Sequence, residues 1–177
     1  MAFLETIKSF FTPTPVVAEE TITPAAPTTY ELKPLTVSDL KEVLRLNLRC
    51  FTAGDSYNKH TLNYLLSEPR TLSYKAVTPE GDLAAFAFVM MNPNGAAHLT
   101  TIGVAPEHRR RGLAIRMLDH IEEKLRRKDI GTIMLEVRVG NYGAQQLYCQ
   151  TGFHVVQRIV NYYNNGEDCY LMMKSLV

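Results

Sequence analysis

The spacing of apolar and polar positions changes along the chain, and each change marks an element. In MAFLETIKSFF, residues 1–11, Phe3, Leu4, Ile7, Phe10 and Phe11 fall on one helical face. That stretch reads as a short amphipathic segment able to dock on a partner or a membrane surface, with a poorly ordered chain end as the plainer reading. Residues 12–29 lose the pattern. Pro13, Pro15, Pro24 and Pro27 stand among Thr, Ala and Val, a composition that predicts an extended, mobile linker. The folded domain is therefore placed at 30–177, with 1–29 as a tail.

Tyr30 to Leu35 reads as a strand, and Thr36-x-x-Asp39 is a capping pattern for the helix that follows. Leu40, Val43, Leu44, Leu46 and Leu48 make that helix largely core-facing as far as Cys50. A loop through Phe51 and Tyr57 leads to a second short helix, which ends near Ser67 ahead of Pro69. Thr71–Thr78 and Leu83–Met91 form a hairpin across Pro79-Glu80-Gly81-Asp82. After a turn at Asn92–Gly95 comes the central strand, His98–Val104. Leu113, Met117, Leu118, Ile121 and Leu125 then recur at three- and four-residue spacing, a helix closed by Gly131. In residues 132–139, Ile133, Leu135, Val137 and Val139 alternate with Met134, Glu136 and Arg138, giving a strand with two distinct faces. A helix between two strands implies that 98–104 and 132–139 run parallel. Asn141 is an N-cap for a helix that stops at Thr151-Gly152. His154–Val160 and Asp168–Ser175 are the last strands. Strands and helices in this order make a mixed sheet, α/β or α+β in class.

Composition narrows the function. The net charge of +1 gives no global field for nucleic acid. Cys50, Cys149 and Cys169 are scattered without metal-ligand spacing, which fits a reducing, cytoplasmic compartment and no metal. No apolar run reaches the ~20 residues of a membrane span.

The stretch Gly103–Ala114, GVAPEHRRRGLA, is chemically the most distinctive. It links a strand to a helix start, where backbone N–H groups are free and the helix dipole is positive. Arg109, Arg110 and Arg111 add charge, and the small Gly112 and Ala114 let a ligand approach the main chain around Leu113. These features suit a di- or polyphosphate. Neither GxxxxGK[ST] nor GxGxxG is present, so this is neither a nucleotide P-loop nor a dinucleotide fingerprint.

The R-x-x-G-x-A pattern at Arg109, Gly112 and Ala114 resembles the acetyl-CoA motif of GNAT-superfamily acetyltransferases. LEVRVGNYGAQQLYCQTGF, Leu135 to Phe153, and NYYNNGEDCYLM, Asn161 to Met172, resemble protein N-terminal acetyltransferases. Within these, the likeness is to the ribosomal-protein alanine acetyltransferases of bacteria and their archaeal and eukaryotic counterparts. It spans Leu32 to Val177. The resemblance implies a GNAT fold: a mixed seven-stranded sheet with splayed central strands and about four helices. It implies acetyl-CoA in the splay, Ile102 and Val104 pairing with the pantetheine arm, and N–H groups from Arg110 to Ala114 on the pyrophosphate. Asn141 matches a cofactor-contacting Asn. The implied acceptor is a protein N-terminus, of the ribosomal-protein type. Ala114 departs from the Gly of many members, and the tail has no counterpart in the compact bacterial enzymes.

Amine acetylation needs a neutral amine and a proton for the leaving thiolate. An α-amino group has a pKa of ~7.7–8.0, so a modest base suffices. Glu136 is the candidate base, although an alternating strand can also turn it to water. Tyr148 is the candidate acid, although the apolar helix face can equally use it for packing. From Glu136 the strand runs about 13 Å to Gly140. The next helix returns about 10 Å to Tyr148, so the two side chains reach similar heights. The family carries its base and acid at these matching positions. His98 is the competing base, with a surface histidine after a turn as the plainer reading. Phe51, Tyr57, Tyr162 and Tyr163 are expected to wall the acceptor pocket together with His98, although half-buried packing aromatics read the same way. A lysine or small-amine acetyltransferase and a non-catalytic acetyl-CoA-binding module are the alternatives. Glu167 and Asp168 are assigned to the final hairpin.

Overall fold

The computed structural model describes residues 22–51 and 56–177. The amphipathic pattern of residues 1–11 and the first part of the linker lie outside them. Among the described residues are seven strands: β1 Glu31–Pro34, β2 Thr71–Val77, β3 Leu83–Met91, β4 Ala96–Val104, β5 Thr132–Arg138, β6 His154–Ile159 and β7 Cys169–Ser175. Four α-helices accompany them: α1 Leu40–Cys50, α2 Lys59–Ser67, α3 Leu113–Arg126 and α4 Tyr142–Gln150. The strands form one mixed sheet in the order β1-β2-β3-β4-β5-β7-β6, with β4 and β5 parallel and the other neighbours antiparallel. The Thr36/Asp39 capping box forms, but it opens a single 3₁₀ turn, Val37–Asp39, before α1.

Both faces of the sheet are covered, and β3 records this in its sequence. Its Ala85 and Ala87 lie under the α3 side, in a core with Leu113, Met117, Leu118, Ile121, Ile133, Leu135 and Tyr148. Its Phe86 and Phe88 point the other way, into a second core with Val43, Leu46, Leu62 and Leu65 of α1 and α2. A strand buried on both faces loses the polar alternation of a half-exposed one. Small residues on one face and aromatics on the other set two different layer spacings. Gly103 of β4 lies opposite Phe86, where a Cβ would stand 2.7 Å from the ring. Helix α3 is stapled to β7 by buried Glu122, which Lys174 Nζ contacts at 2.6 and 2.7 Å, and by Arg126 Nε donating to Leu176 O at 3.0 Å.

Two irregularities open the sheet. β4 begins at Ala96, two residues before the predicted start, because Ala96, Ala97 and His98 pair with Thr132, Ile133 and Met134. The ladder between β4 and β5 ends there, and the strands part. At the same point the β3–β4 register shifts: Phe88 opposes Thr101 and Val89 opposes Leu99, which leaves Thr100 as a bulge residue. A bulge bends its strand and increases the twist.

The linker before β1 differs from its expectation. Residues 25–30 lie against the loop between β4 and α3. Ala25 N–H donates to Glu107 O at 3.0 Å, and Arg111 donates to the carbonyls of Ala25 and Ala26. Prolines remove competing donors and stiffen the segment, so little ordering is needed for it to be held by a few backbone contacts.

Candidate active site

The loop after β4 turns through a 3₁₀ turn, Pro106–His108, and then takes two left-handed residues, Arg110 at φ 62° and Gly112 at φ 71°. Alternation of this kind gathers successive N–H groups into an anion-binding concavity. Gly112 caps α3, and Arg116 N–H is bonded to Gly112 O at 3.0 Å. The N–H groups of the first turn before it have no partner within the helix. Around Gly112 nothing lies within 4 Å of where a Cβ would sit, so the concavity is open.

This concavity is the outer end of a cleft. Cys50 and Phe51 line it from the α1 side, and Leu147 and Tyr148 from the α4 side. The two sides belong to opposite faces of the sheet, so the cleft passes through the gap between β4 and β5. The predicted residues Phe51, Ile102, Val104, Arg109, Arg110, Gly112, Leu113, Ala114, Asn141 and Tyr148 all line it. Arg111 does not; its side chain points away, to the linker carbonyls and the Tyr30 hydroxyl. The Val104 carbonyl accepts from Arg109 Nε at 3.1 Å and from Cys50 Sγ at 3.3 Å. Burial pushes the Cys50 thiol up to about 11, so it stays protonated and serves as a donor rather than a nucleophile. Asn141 caps α4 by accepting from Ala144 N–H at 3.1 Å.

At the parting of the strands lies a second group. His98 is no surface histidine: its side chain is 1% exposed, on the α1–α2 face, because β4 starts earlier and carries it inside the sheet. Its Nε2 lies 2.5 Å from Glu136 Oε2. Glu136 is 6% exposed rather than turned to water, and its Oε1 is buried with no hydrogen-bond partner among the described residues. A buried carboxylate oxygen costs free energy unless something donates to it, so a donor such as a water or an amine suits this oxygen. The Tyr57 hydroxyl donates to Thr100 O at 3.0 Å. The bulge thus exposes a carbonyl that anchors one wall. Burial, and then the neighbouring Glu136 carboxylate, raise the Tyr162 phenol above its ordinary value. Tyr163 stands edge-on to Tyr162 at 5.1 Å, with the Arg138 guanidinium 3.7 Å over its ring. Arg138 also pairs with Glu167, whose other oxygen accepts from Gly140 N–H at 2.9 Å. Asp168 holds Arg158 and Asn161 N–H, which closes the final hairpin.

Tyr148 approaches from the opposite face. It is 8% exposed, packs on Phe153 at 5.6 Å, and its hydroxyl makes no hydrogen bond to another described residue. Burial raises its pKa well above that of an ordinary phenol, so it stays a neutral donor across the working pH range.

Three supports escaped the sequence reading. Asn47, fully buried in α1, donates from Nδ2 to Tyr57 O at 2.9 Å and accepts from Tyr57 N–H at 3.4 Å. It fixes the backbone at Tyr57, and its signal was a lone amide inside an apolar helix face. Thr100 gave no signal, because a bulge is set by pairing. Gln145 Nε2 bonds the carbonyls of Arg138 and Val139 at 2.9 and 2.8 Å, which ties α4 to the end of β5.

Parted parallel strands, with a helix start whose N–H groups are free after the first of them, fit an acyl-CoA-dependent N-acyltransferase. The chain belongs to the Acetyltransferase (GNAT) family, whose model matches residues 40–153, and it is an acetyl-CoA-dependent N-acetyltransferase. It is 32% identical over 149 residues to N-alpha-acetyltransferase daf-31 of Caenorhabditis elegans, across 79% of each chain. It is 28% identical over 146 residues to a putative [ribosomal protein bS18]-alanine N-acetyltransferase of Bacillus subtilis, across 82% of this chain and 95% of that one. The crystal structure of the ribosomal-protein-S18-alanine N-acetyltransferase from Escherichia coli superimposes with a TM-score of 0.76 at 28% identity. That match covers 84% of this chain and 94% of the other. Among the described residues no helix is long and apolar enough to cross a membrane, and no cluster of three potential metal ligands occurs.

Proposed function

We propose that this enzyme acetylates the N-terminal α-amino group of a protein, as a cytoplasmic enzyme of the ribosomal-protein alanine acetyltransferase type. The observation that carries the reading is the buried His98–Glu136 pair, with one carboxylate oxygen open, set between Tyr57 and Tyr162 where β4 and β5 part. The names of the relatives above, which act on α-amino groups, support the same acceptor class.

Acetyl-CoA supplies the thioester. The N–H groups from Arg110 to Ala114, with Arg109 and Arg110, hold its pyrophosphate, and Ile102, Val104 and Asn141 flank the arm. The acceptor N-terminus enters between Phe51, Tyr57, Tyr162 and Tyr163. Glu136, held by His98, takes a proton from the amine through a water. As the amine nitrogen bonds to the carbonyl carbon, the C–S bond breaks and Tyr148 donates a proton to the departing sulfur. Base and acid come from opposite faces of the sheet and reach one gap. An α-amine of pKa ~7.7–8.0 needs little help to lose its proton, whereas a lysine of ~10.4 needs much more.

The test is a peptide-library assay with acetyl-CoA, read by mass spectrometry. Peptides with free N-termini are acetylated on the α-amine, with preferences at the first two positions. Turnover only on N-terminally blocked, lysine-containing peptides would overturn the reading.

A further inference from the structure

We propose that residues 24–30 form a strap that sets the conformation of the cofactor loop, with the Arg111 side chain as its anchor, a positioning group rather than a phosphate ligand. The inference rests on the loop being the pyrophosphate site.

Three ties connect strap and loop. Arg111 spends both arms of its guanidinium on main chain, Nη1 donating to Ala26 O at 2.8 Å and Nη2 to Ala25 O. A planar fork committed to two carbonyls is not available for bidentate contact with a phosphate. Ala25 N–H donates to Glu107 O, and the Glu107 carboxylate is in turn gripped by both Nη atoms of Arg49 from α1 at 3.0 and 2.9 Å. The Tyr30 hydroxyl lies 3.0 Å from His108 Nδ1, with the two rings edge-on at 5.6 Å. Arg116 Nη2 adds a bond to Tyr30 O at 3.3 Å.

The loop has a reason to need this. Arg110 is a non-glycine residue at φ 62°, two positions before Gly112 at φ 71°. Such backbone persists only where its surroundings over-determine it. The cleft face of the loop offers open space at Gly112, so the restraint comes from behind, through Glu107, His108 and Arg111. Holding the N–H groups in their converging arrangement before the ligand arrives lowers the ordering cost of binding. The strap therefore contributes to acetyl-CoA affinity without touching the ligand.

The experiment is a double-mutant cycle in the full chain, read by calorimetry with acetyl-CoA. Ala25→Pro removes the donor to Glu107 O, and Arg111→Ala removes the fork. Each weakens affinity about three- to tenfold, the scale of a charge-assisted hydrogen bond offset by partial relaxation. The double variant is no weaker than the worse single, because both break one device. Ala25→Pro retains kcat within about twofold at saturating acetyl-CoA, since the reacting groups are untouched. Unchanged affinity in Ala25→Pro overturns the proposal, and so do fully additive losses, which would make the Arg111 guanidinium a direct phosphate ligand. Gly112→Glu serves as the reference. If it leaves binding intact, the loop itself is misassigned; if it abolishes binding while Ala25→Pro changes nothing, only the strap fails.

Discussion

The two halves of the proposed site are made of different material. The proposed cofactor end is main chain: one loop, two left-handed residues and a helix start, with N–H groups as the working atoms. The proposed acceptor end is side chains from four separate places, none of them among the residues lining the cleft beside the loop: Tyr57 before α2, His98 on β4, Glu136 on β5 and Tyr162 before β7. A main-chain site is specified by a short continuous sequence and tolerates change in the side chains around it. A side-chain site is specified by register across the sheet, and one shift of a strand rebuilds it. The first suits a ligand common to every reaction of the class, and the second suits an acceptor that differs between members.

Substitutions separate the two ends. The largest effect falls where they meet. Tyr148→Phe keeps the ring and its packing on Phe153 and removes the proton. It lowers kcat by about 10²–10⁴-fold and leaves acetyl-CoA affinity nearly unchanged by calorimetry. Gly112→Glu does the opposite. It forces a side chain onto backbone at φ 71° and sets a carboxylate at the phosphate site. Acetyl-CoA affinity falls by about a hundredfold or more, with the circular-dichroism spectrum of the native fold retained. Should either variant move both parameters together, the division between the ends is less sharp than drawn.

Lys174→Met probes neither end. It leaves the Glu122 carboxylate buried with only Arg126 beside it, and urea unfolding should report a loss of about 3 kcal/mol with kcat intact. The pH profile gives a finer test of Tyr148. Burial raises this acid's pKa above the ordinary phenol value of 10.0, so the folded enzyme keeps the proton as pH rises through that value. Turnover should therefore stay level from about pH 8 to 10, where the α-amine is already neutral. A falling limb in that window that disappears in Tyr148→Phe would show Tyr148 losing its proton there and contradict the raised pKa, while a limb-free profile with unchanged kcat in Tyr148→Phe would contradict the acid role.

The same division explains what was legible in the sequence. The seven strands, the four helices and the Arg109–Ala114 loop follow from local period, caps and glycines, and the structure carries them with shifts of one to three residues. The loop could be read because its chemistry lies within a dozen consecutive residues. The His98–Glu136 contact could not, because it joins positions 38 apart and depends on β4 starting at Ala96. A histidine next to a turn looks exposed until the pairing with β5 is known. Arg111 misled for the converse reason. Adjacent arginines share a sequence context, but the left-handed turn at Arg110 sends its neighbour to the other side of the loop. The linker seemed free because proline-rich composition reports stiffness and poor burial, and says nothing of carbonyls that a distant guanidinium can bind.

The central claim is that a carboxylate and a phenol act from opposite faces of the sheet on one gap, with the carboxylate as base. The pH–rate profile of kcat/KM on a peptide with a free N-terminus tests it, comparing the wild type with Glu136→Gln and His98→Ala. Glu136→Gln should lower the rate by about ten- to a hundredfold near neutral pH and weaken the acidic limb, with much of the loss recovered at high pH. His98→Ala should fall less and keep the limb, because Glu136 retains its open oxygen. Loss of all activity in His98→Ala, with the acidic limb intact in Glu136→Gln, would make His98 the base and contradict the account.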